Sequence, residues 1–238
     1  MVCIKTSVVE LDMLLFYAMM AYMDTERPLP RAPIKIASIG ETGAGKTTLF
    51  KRYTNEMARE VRSDGPTMGI DLTIAHKLNR FIELWDTSGS EKYYSFSTNY
   101  VRLAHGICLC YDASIDEDTA FSNVHSWYTR AQNCRSDFSQ VPIVVIGNKQ
   151  DLMAPKRETH RSAVEQWCAS CSIRHFYASA LQNTNCIEPL DGLVQRAIAF
   201  NDARTRRTHV PPPAPDLSSP PAGCAPRFFD LCSRCCRN

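Results

Sequence analysis

The sequence predicts an α/β domain built on a mostly parallel, six-stranded sheet with helices on both faces. Short, nearly continuous apolar runs alternate with helical stretches, the pattern of buried parallel strands joined by crossover helices. A glycine-rich loop stands directly between the first apolar run and a helix. Apolar residues make up 44% of the 238, enough for a sizeable core, and the length suits one such domain with tails better than two domains.

IKIASIG (34–40) reads as the first buried strand, followed by a loop and a helix from Lys46. LTIAHKL (72–78) and FIELWD (81–86) read as a hairpin of two strands. GICLCYD (106–112) and PIVVIGNK (142–149) are further buried strands, and HFYASA (175–180) is the last. Helical stretches fall near 118–134, 158–171 and 186–203, so the domain spans about residues 34–204.

Residues 1–33 form an N-terminal extension with the apolar run Met13–Met23. That run is too short for a membrane-spanning helix, which needs about 20 residues. Glu10 and Asp12 stand where a secretory signal would carry positive charge. Two readings stay open: a short helix packed on the domain or lying on a membrane, or translation starting at Met23. Residues 205–238 form a tail. Seven of the fourteen prolines lie between Pro211 and Pro226, which favours extended chain, and arginines outnumber acids there. The eleven cysteines show no repeating framework and fit thiols in a reducing cytosol. A net charge of only +2 suggests no nucleic-acid partner.

GETGAGKT (40–47) has the G-x-x-x-x-G-K-[ST] spacing between strand and helix. Its glycines let backbone N–H groups point at phosphate oxygens, and the helix N-terminus adds a favourable dipole. Lys46 reaches the β- and γ-phosphates, and the Thr47 hydroxyl ligates Mg²⁺. Glu41, Thr42, Gly43, Ala44, Gly45, Lys46, Thr47 and Thr48 are the candidate phosphate-side contacts. A chance glycine-rich turn would lack the flanking strand and helix.

Asn148-Lys149-Gln150-Asp151 ends a buried strand, where sheets of this kind bind ligands. An Asp151 carboxylate accepts from both N1–H and the 2-amino group of guanine, and adenine offers neither donor, so GTP is favoured over ATP. Ser179-Ala180 follows the next strand and is placed to offer a backbone N–H to the guanine oxygen. In WDTSG (85–89), Asp86 is placed to hold Mg²⁺ through water, and the Gly89 N–H to meet the γ-phosphate.

These elements, in this order, resemble the Ras-like small GTPases and their P-loop NTPase fold. GPTMGID (65–71), WDTSGSEKYY (85–94), YVRLAHGICLCYD (100–112) and the terminal cysteines are similar to the Rab family. The resemblance implies a GTP/GDP switch in membrane traffic, with Thr67 as a second Mg²⁺ ligand that senses the γ-phosphate. It implies effectors, an exchange factor and a GTPase activator acting at the switch regions, and effector reading through Leu72, Trp85 and Tyr100. It places Leu181 where the family carries a Lys beside the base, and Leu72 where it carries an aromatic. It puts Ser90 where the family carries the glutamine that orients the attacking water. Slow hydrolysis, with Lys46, Gly89 and Ser90 as the catalytic set, is therefore expected; the alternative is a GTP-bound adaptor with little or no hydrolysis.

The ending Cys235-Cys236-Arg237-Asn238 resembles the paired-cysteine end of Rab proteins. Arg237 fits a C-a-a-X box poorly. The resemblance implies two geranylgeranyl groups on Cys235 and Cys236, dealings with prenyl-transfer and extraction chaperones, and residence on the cytoplasmic face of an intracellular membrane in exchange with cytosol. Cys168 and Cys171 have metal-ligand spacing, with His160 and His175 near, but the helical pattern around Trp167 reads better as two partly buried thiols.

Overall fold

A computed structural model describes residues 31–54, 67, 69–90, 94–153 and 162–208. The run Met13–Met23, His160, the proline-rich tail and both Cys235 and Cys236 lie outside the described residues.

The chain order is β1 (Ile34–Ile39), α1 (Lys46–Tyr53), β2 (Ile70–Lys77), β3 (Arg80–Thr87), α2 (Tyr94–Leu103), β4 (Gly106–Asp112), α3 (Glu117–Asn133), β5 (Ile143–Asn148), α4 (Ala163–Ser170), β6 (Arg174–Tyr177) and α5 (Ile187–Thr208). The six strands form one sheet in the order β2-β3-β1-β4-β5-β6, and only the β2–β3 pair is antiparallel. The predicted mixed sheet is therefore present, with strand ends within two residues of the sequence reading except at β6, which stops at Tyr177.

Alternation along the strands explains their unbroken apolar runs. In β1, Ile34 and Ile36 enter one core while Ala37 and Ile39 enter the other. In β4, Cys108 and Cys110 face the first core, and Ile107, Leu109 and Tyr111 the second. The first core also takes Leu49, Phe50 and Tyr53 of α1 with Leu190, Leu193 and Val194 of α5. The second takes Val101 of α2, Val124 and Trp127 of α3, and Val164 and Cys168 of α4. A strand covered on both faces has no polar side to display.

The β2–β3 hairpin closes through Leu78 and Asn79, with φ of 52° and 60°. Two consecutive left-handed residues give the turn whose twist matches paired strands. Asp116 caps α3 by accepting from Thr119 N–H at 2.9 Å. Ser162 and Glu165 form a capping box on α4. Helix α2 is absent from the predicted elements although Phe96, Tyr100 and Leu103 stand at helical spacing; it is short, and half of its residues YSFSTNYVRL are polar.

β1 is flanked by β3 on one side and β4 on the other, so the chain leaves its end in both directions. The loop that follows β1 lies at this crevice, where open α/β sheets bind ligands.

Candidate functional site

The loop after β1 wraps a buried ammonium. Lys46 Nζ donates to the carbonyls of Gly40 and Glu41, each at 2.8 Å. Burial pulls the Lys46 pKa below the usual lysine range, against the pull of Asp86 and Glu41 nearby. A buried cation resting on two neutral carbonyls has charge left to satisfy, and an anion at this loop would do so. Thr47 and Thr48 follow in the first turn of α1.

Three oxygen donors from three separate segments meet beside Lys46. Thr47 Oγ1 donates to Asp86 Oδ2 and stands 3.0 Å from Thr67 Oγ1, which in turn reaches Asp86 Oδ2 at 3.4 Å. Burial pushes the Asp86 carboxyl up, while Thr47 and Ser38 favour its charged form by hydrogen bonding. Two hydroxyls and a carboxylate are the donor chemistry of a hard cation such as Mg²⁺, so these residues fit that ion. Ser38 Oγ donates to Asp86 Oδ1 at 2.8 Å and fixes the carboxylate's second oxygen. Gly89 lies tight against the phosphate loop, where a methyl group would stand 2.2 Å from Thr42 N. Ser90 N–H donates to Ser88 Oγ at 3.3 Å.

The strand end of β5 builds the second half. Asn148 Nδ2 donates to the Ala44 carbonyl at 2.9 Å, and Asn148 Oδ1 accepts from Ala180 N–H at 2.9 Å. One side chain thus joins the phosphate loop to the loop after β6. The Ser179 N–H donates to the Thr184 carbonyl at 2.9 Å, so both amides of Ser179-Ala180, from which a donor to the guanine oxygen was expected, are bonded within the protein. Lys149 adopts φ 65°, and its ammonium meets Asp112 Oδ2 at 2.6 Å. Partial burial raises the Asp112 carboxyl, but the bonds from Lys149 and Ser114 outweigh it and hold the carboxyl below its usual range. Asp151 Oδ1 accepts from Ser179 Oγ at 2.5 Å. Leu152, next to Asp151 in the chain, and Leu181, after Ala180, are 64% and 65% exposed.

The expected effector positions also come together. Leu72 is paired with Trp85 across the β2–β3 ladder, and Trp85 meets Tyr100 edge to face at 4.9 Å. The cysteine pair departs from the sequence reading. Cys168 is buried, its thiol pushed up to about 12 by that burial, while Cys171 is exposed. His175 Nε2 pairs with the Tyr111 hydroxyl at 2.9 Å.

Sequence reasoning missed Ser38, Trp127 and Arg52. Trp127 Nε1 donates to Glu41 Oε1 at 2.8 Å and steers that carboxylate. Arg52 donates to the loop after β6. None belongs to a contiguous motif, so no local signal marked them.

A model of the Ras family matches residues 35–199. The GTP-binding protein yptV2 of Volvox carteri is 31% identical over 178 residues, covering 73% of this chain and 79% of that protein. Ras-related protein Rab-13 of Bos taurus is 29% identical over 191 residues, 78% of this chain and 90% of that protein. Ras-related protein Rab-27B of Rattus norvegicus is 29% identical over 191 residues, 75% and 85% respectively. The family match spans more than half of the chain, and the chain belongs to the Ras family as a divergent, Rab-like small GTPase.

Proposed function

We propose that this chain is a GTP/GDP switch of intracellular membrane traffic that hydrolyses GTP slowly. The observation that carries the reading is the meeting of Thr47, Thr67 and Asp86 beside the buried Lys46. Bound Mg²⁺ would neutralise charge on the β- and γ-phosphate oxygens. Lys46 would hold those oxygens from the other side, and the Gly89 N–H would bind the γ-phosphate. Thr67 would ligate the ion only while a γ-phosphate is present, which gives two states for partners to tell apart. Asp151, Ser179, Ala180 and Leu181 would face guanine, with Asn148 joining the base loop to the phosphate loop and Lys149 held on Asp112.

Phosphoryl transfer of this kind depends on positioning and charge, not on covalent catalysis. Ser90 stands where the family carries a glutamine, and a hydroxyl on one carbon cannot hold water in line as an amide does. Ser90→Gln is therefore expected to raise single-turnover hydrolysis by roughly ten- to a hundredfold. Nucleotide extracted from protein purified under native conditions tests the parent reading: mainly GDP supports a working hydrolase, and mainly GTP supports the adaptor reading that Ser90 favours. Extraction of no guanine nucleotide from folded protein, with none bound on addition, would sink both.

Effectors would read the Leu72–Trp85–Tyr100 face, and an exchange factor and an activator would work on the segments around Thr67 and Ser90. No helix among the described residues is long and apolar enough to cross a membrane. Attachment is assigned to geranylgeranyl groups on Cys235 and Cys236, delivered and later shielded by prenyl-transfer and extraction chaperones. One lipid chain anchors only marginally, whereas two anchor stably. The Cys235→Ser, Cys236→Ser double variant is expected to move from the membrane pellet to the cytosol on fractionation. Retention in the pellet would shift the anchor to the Met13–Met23 run.

A further inference from the structure

The loop Ser179-Ala180-Leu181 is gripped by a side chain from the phosphate side of the site. Arg52, near the end of α1, donates from Nε to the Ala180 carbonyl at 3.0 Å and from Nη2 to the Leu181 carbonyl at 2.8 Å. Cys186 Sγ donates to the Ser179 carbonyl at 3.3 Å. Three successive carbonyls of one loop are therefore held by side chains. The amides are engaged as well, Ser179 N–H on the Thr184 carbonyl and Ala180 N–H on Asn148 Oδ1, each at 2.9 Å. A loop held this fully has little freedom to tilt or slide.

Arg52 is the member of this set that enters from elsewhere in the chain with a charge. Its planar fork presents Nε and Nη2 in one plane, so gripping two adjacent carbonyls fixes both the position and the orientation of the loop. It also sits on α1, the helix whose first turn carries Lys46 and Thr47. Tyr53, its neighbour, ties the same helix end to Asp191 of α5 at 2.7 Å. The phosphate-binding helix and the base-facing loop are thus one mechanical piece.

We infer that Arg52 is a positioning residue for guanine recognition. It clamps the Ala180 and Leu181 carbonyls so that the loop after β6 keeps one position against the 6-oxygen edge of the base, and it links that position to the phosphate end of the nucleotide. The inference rests on the guanine-nucleotide reading above. Arg52 touches no nucleotide atom in this role; it acts through the loop. A lysine at position 52 offers a point charge in place of a fork and can hold one carbonyl well but not both in a plane.

The test uses the full chain with Mg²⁺ and two probes, GDP and 6-thioguanosine 5′-diphosphate, which keeps N1–H and the 2-amino group and replaces the 6-oxygen with sulfur, a poor acceptor. Affinities of the parent protein, Arg52→Ala and Arg52→Lys are measured by competition against a fluorescent GDP. The parent is expected to prefer GDP. Arg52→Ala is expected to weaken GDP by roughly ten- to a hundredfold, as two charge-assisted hydrogen bonds are lost, with little change for the analogue. The ratio between the probes should therefore collapse, and Arg52→Lys should recover only part of it. Equal weakening of both probes would mean that Arg52 only supports the fold, and unchanged GDP affinity would mean that the loop needs no clamp. Either result overturns the inference. If Arg52→Ala does not fold, the Arg52→Lys ratio decides alone. A parent protein that binds neither probe, or both equally, would instead overturn the guanine reading itself.

Discussion

Asp151→Asn is expected to lower GTP affinity by roughly a thousandfold and to create preference for xanthosine triphosphate. One oxygen of Asp151 accepts from Ser179 Oγ at 2.5 Å, which aims the carboxylate with the base loop. A carboxylate has room for further donors, and N1–H and the 2-amino group of guanine supply two. An amide at this position keeps one acceptor and replaces the other with an N–H pair. That pair meets the guanine amino group donor to donor, leaving buried groups unsatisfied, but it matches the 2-oxygen of xanthine. Competition binding with the two triphosphates measures the exchange. Parent-like GTP affinity in the variant would show that the base lies elsewhere.

Gly40→Ala is expected to be the most damaging small change in the phosphate loop. Gly40 has φ +138°, and a methyl group there would stand 1.9 Å from the Cys110 carbonyl oxygen and 3.0 Å from its carbon. Those atoms belong to β4, an inner strand packed on both faces, so they cannot give way. Backbone strain and overpacking together cost about 3–5 kcal/mol. The midpoint of thermal unfolding should fall by on the order of 10 °C. Gly43→Ala is the control. Its φ is +82°, but a methyl group meets nothing within 4 Å, so only conformational strain of about 1–2 kcal/mol applies. Thermal unfolding in EDTA, without nucleotide, ranks the two. Equal midpoints would mean that the loop relaxes away from β4 and that the close approach has no energetic consequence.

The sequence located those parts of the site whose residues are neighbours in the chain. GETGAGKT is one loop because phosphate binding needs consecutive backbone N–H groups, so its spacing is visible without a structure. Asn148 to Asp151 is similarly local, because strand end and turn place both side chains together. The strands were legible for a related reason: a strand covered on both faces is apolar along its covered length, and 107–111 and 143–147 are. Helix α2 was missed although Phe96, Tyr100 and Leu103 recur at helical spacing, because the stretch is short and its Ser, Thr and Asn residues have weak helix propensity.

The sequence by itself thus determined the fold class and located the loop after β1, the strand end from Asn148 to Asp151 and Thr47 and Asp86, which the structure brings together. Only the tertiary structure decided what holds these parts in register. Ser38 orients Asp86 across 48 residues, Trp127 reaches Glu41 across 86, Asn148 joins Ala44 across 104, and Arg52 clamps Leu181 across 129. The reason is physical. A hydrogen bond between distant residues leaves no spacing rule behind, because its geometry comes from the order in which strands pair and helices cover them. Motifs record contacts that the local chain makes by itself, and the supporting contacts exist only once the sheet has closed.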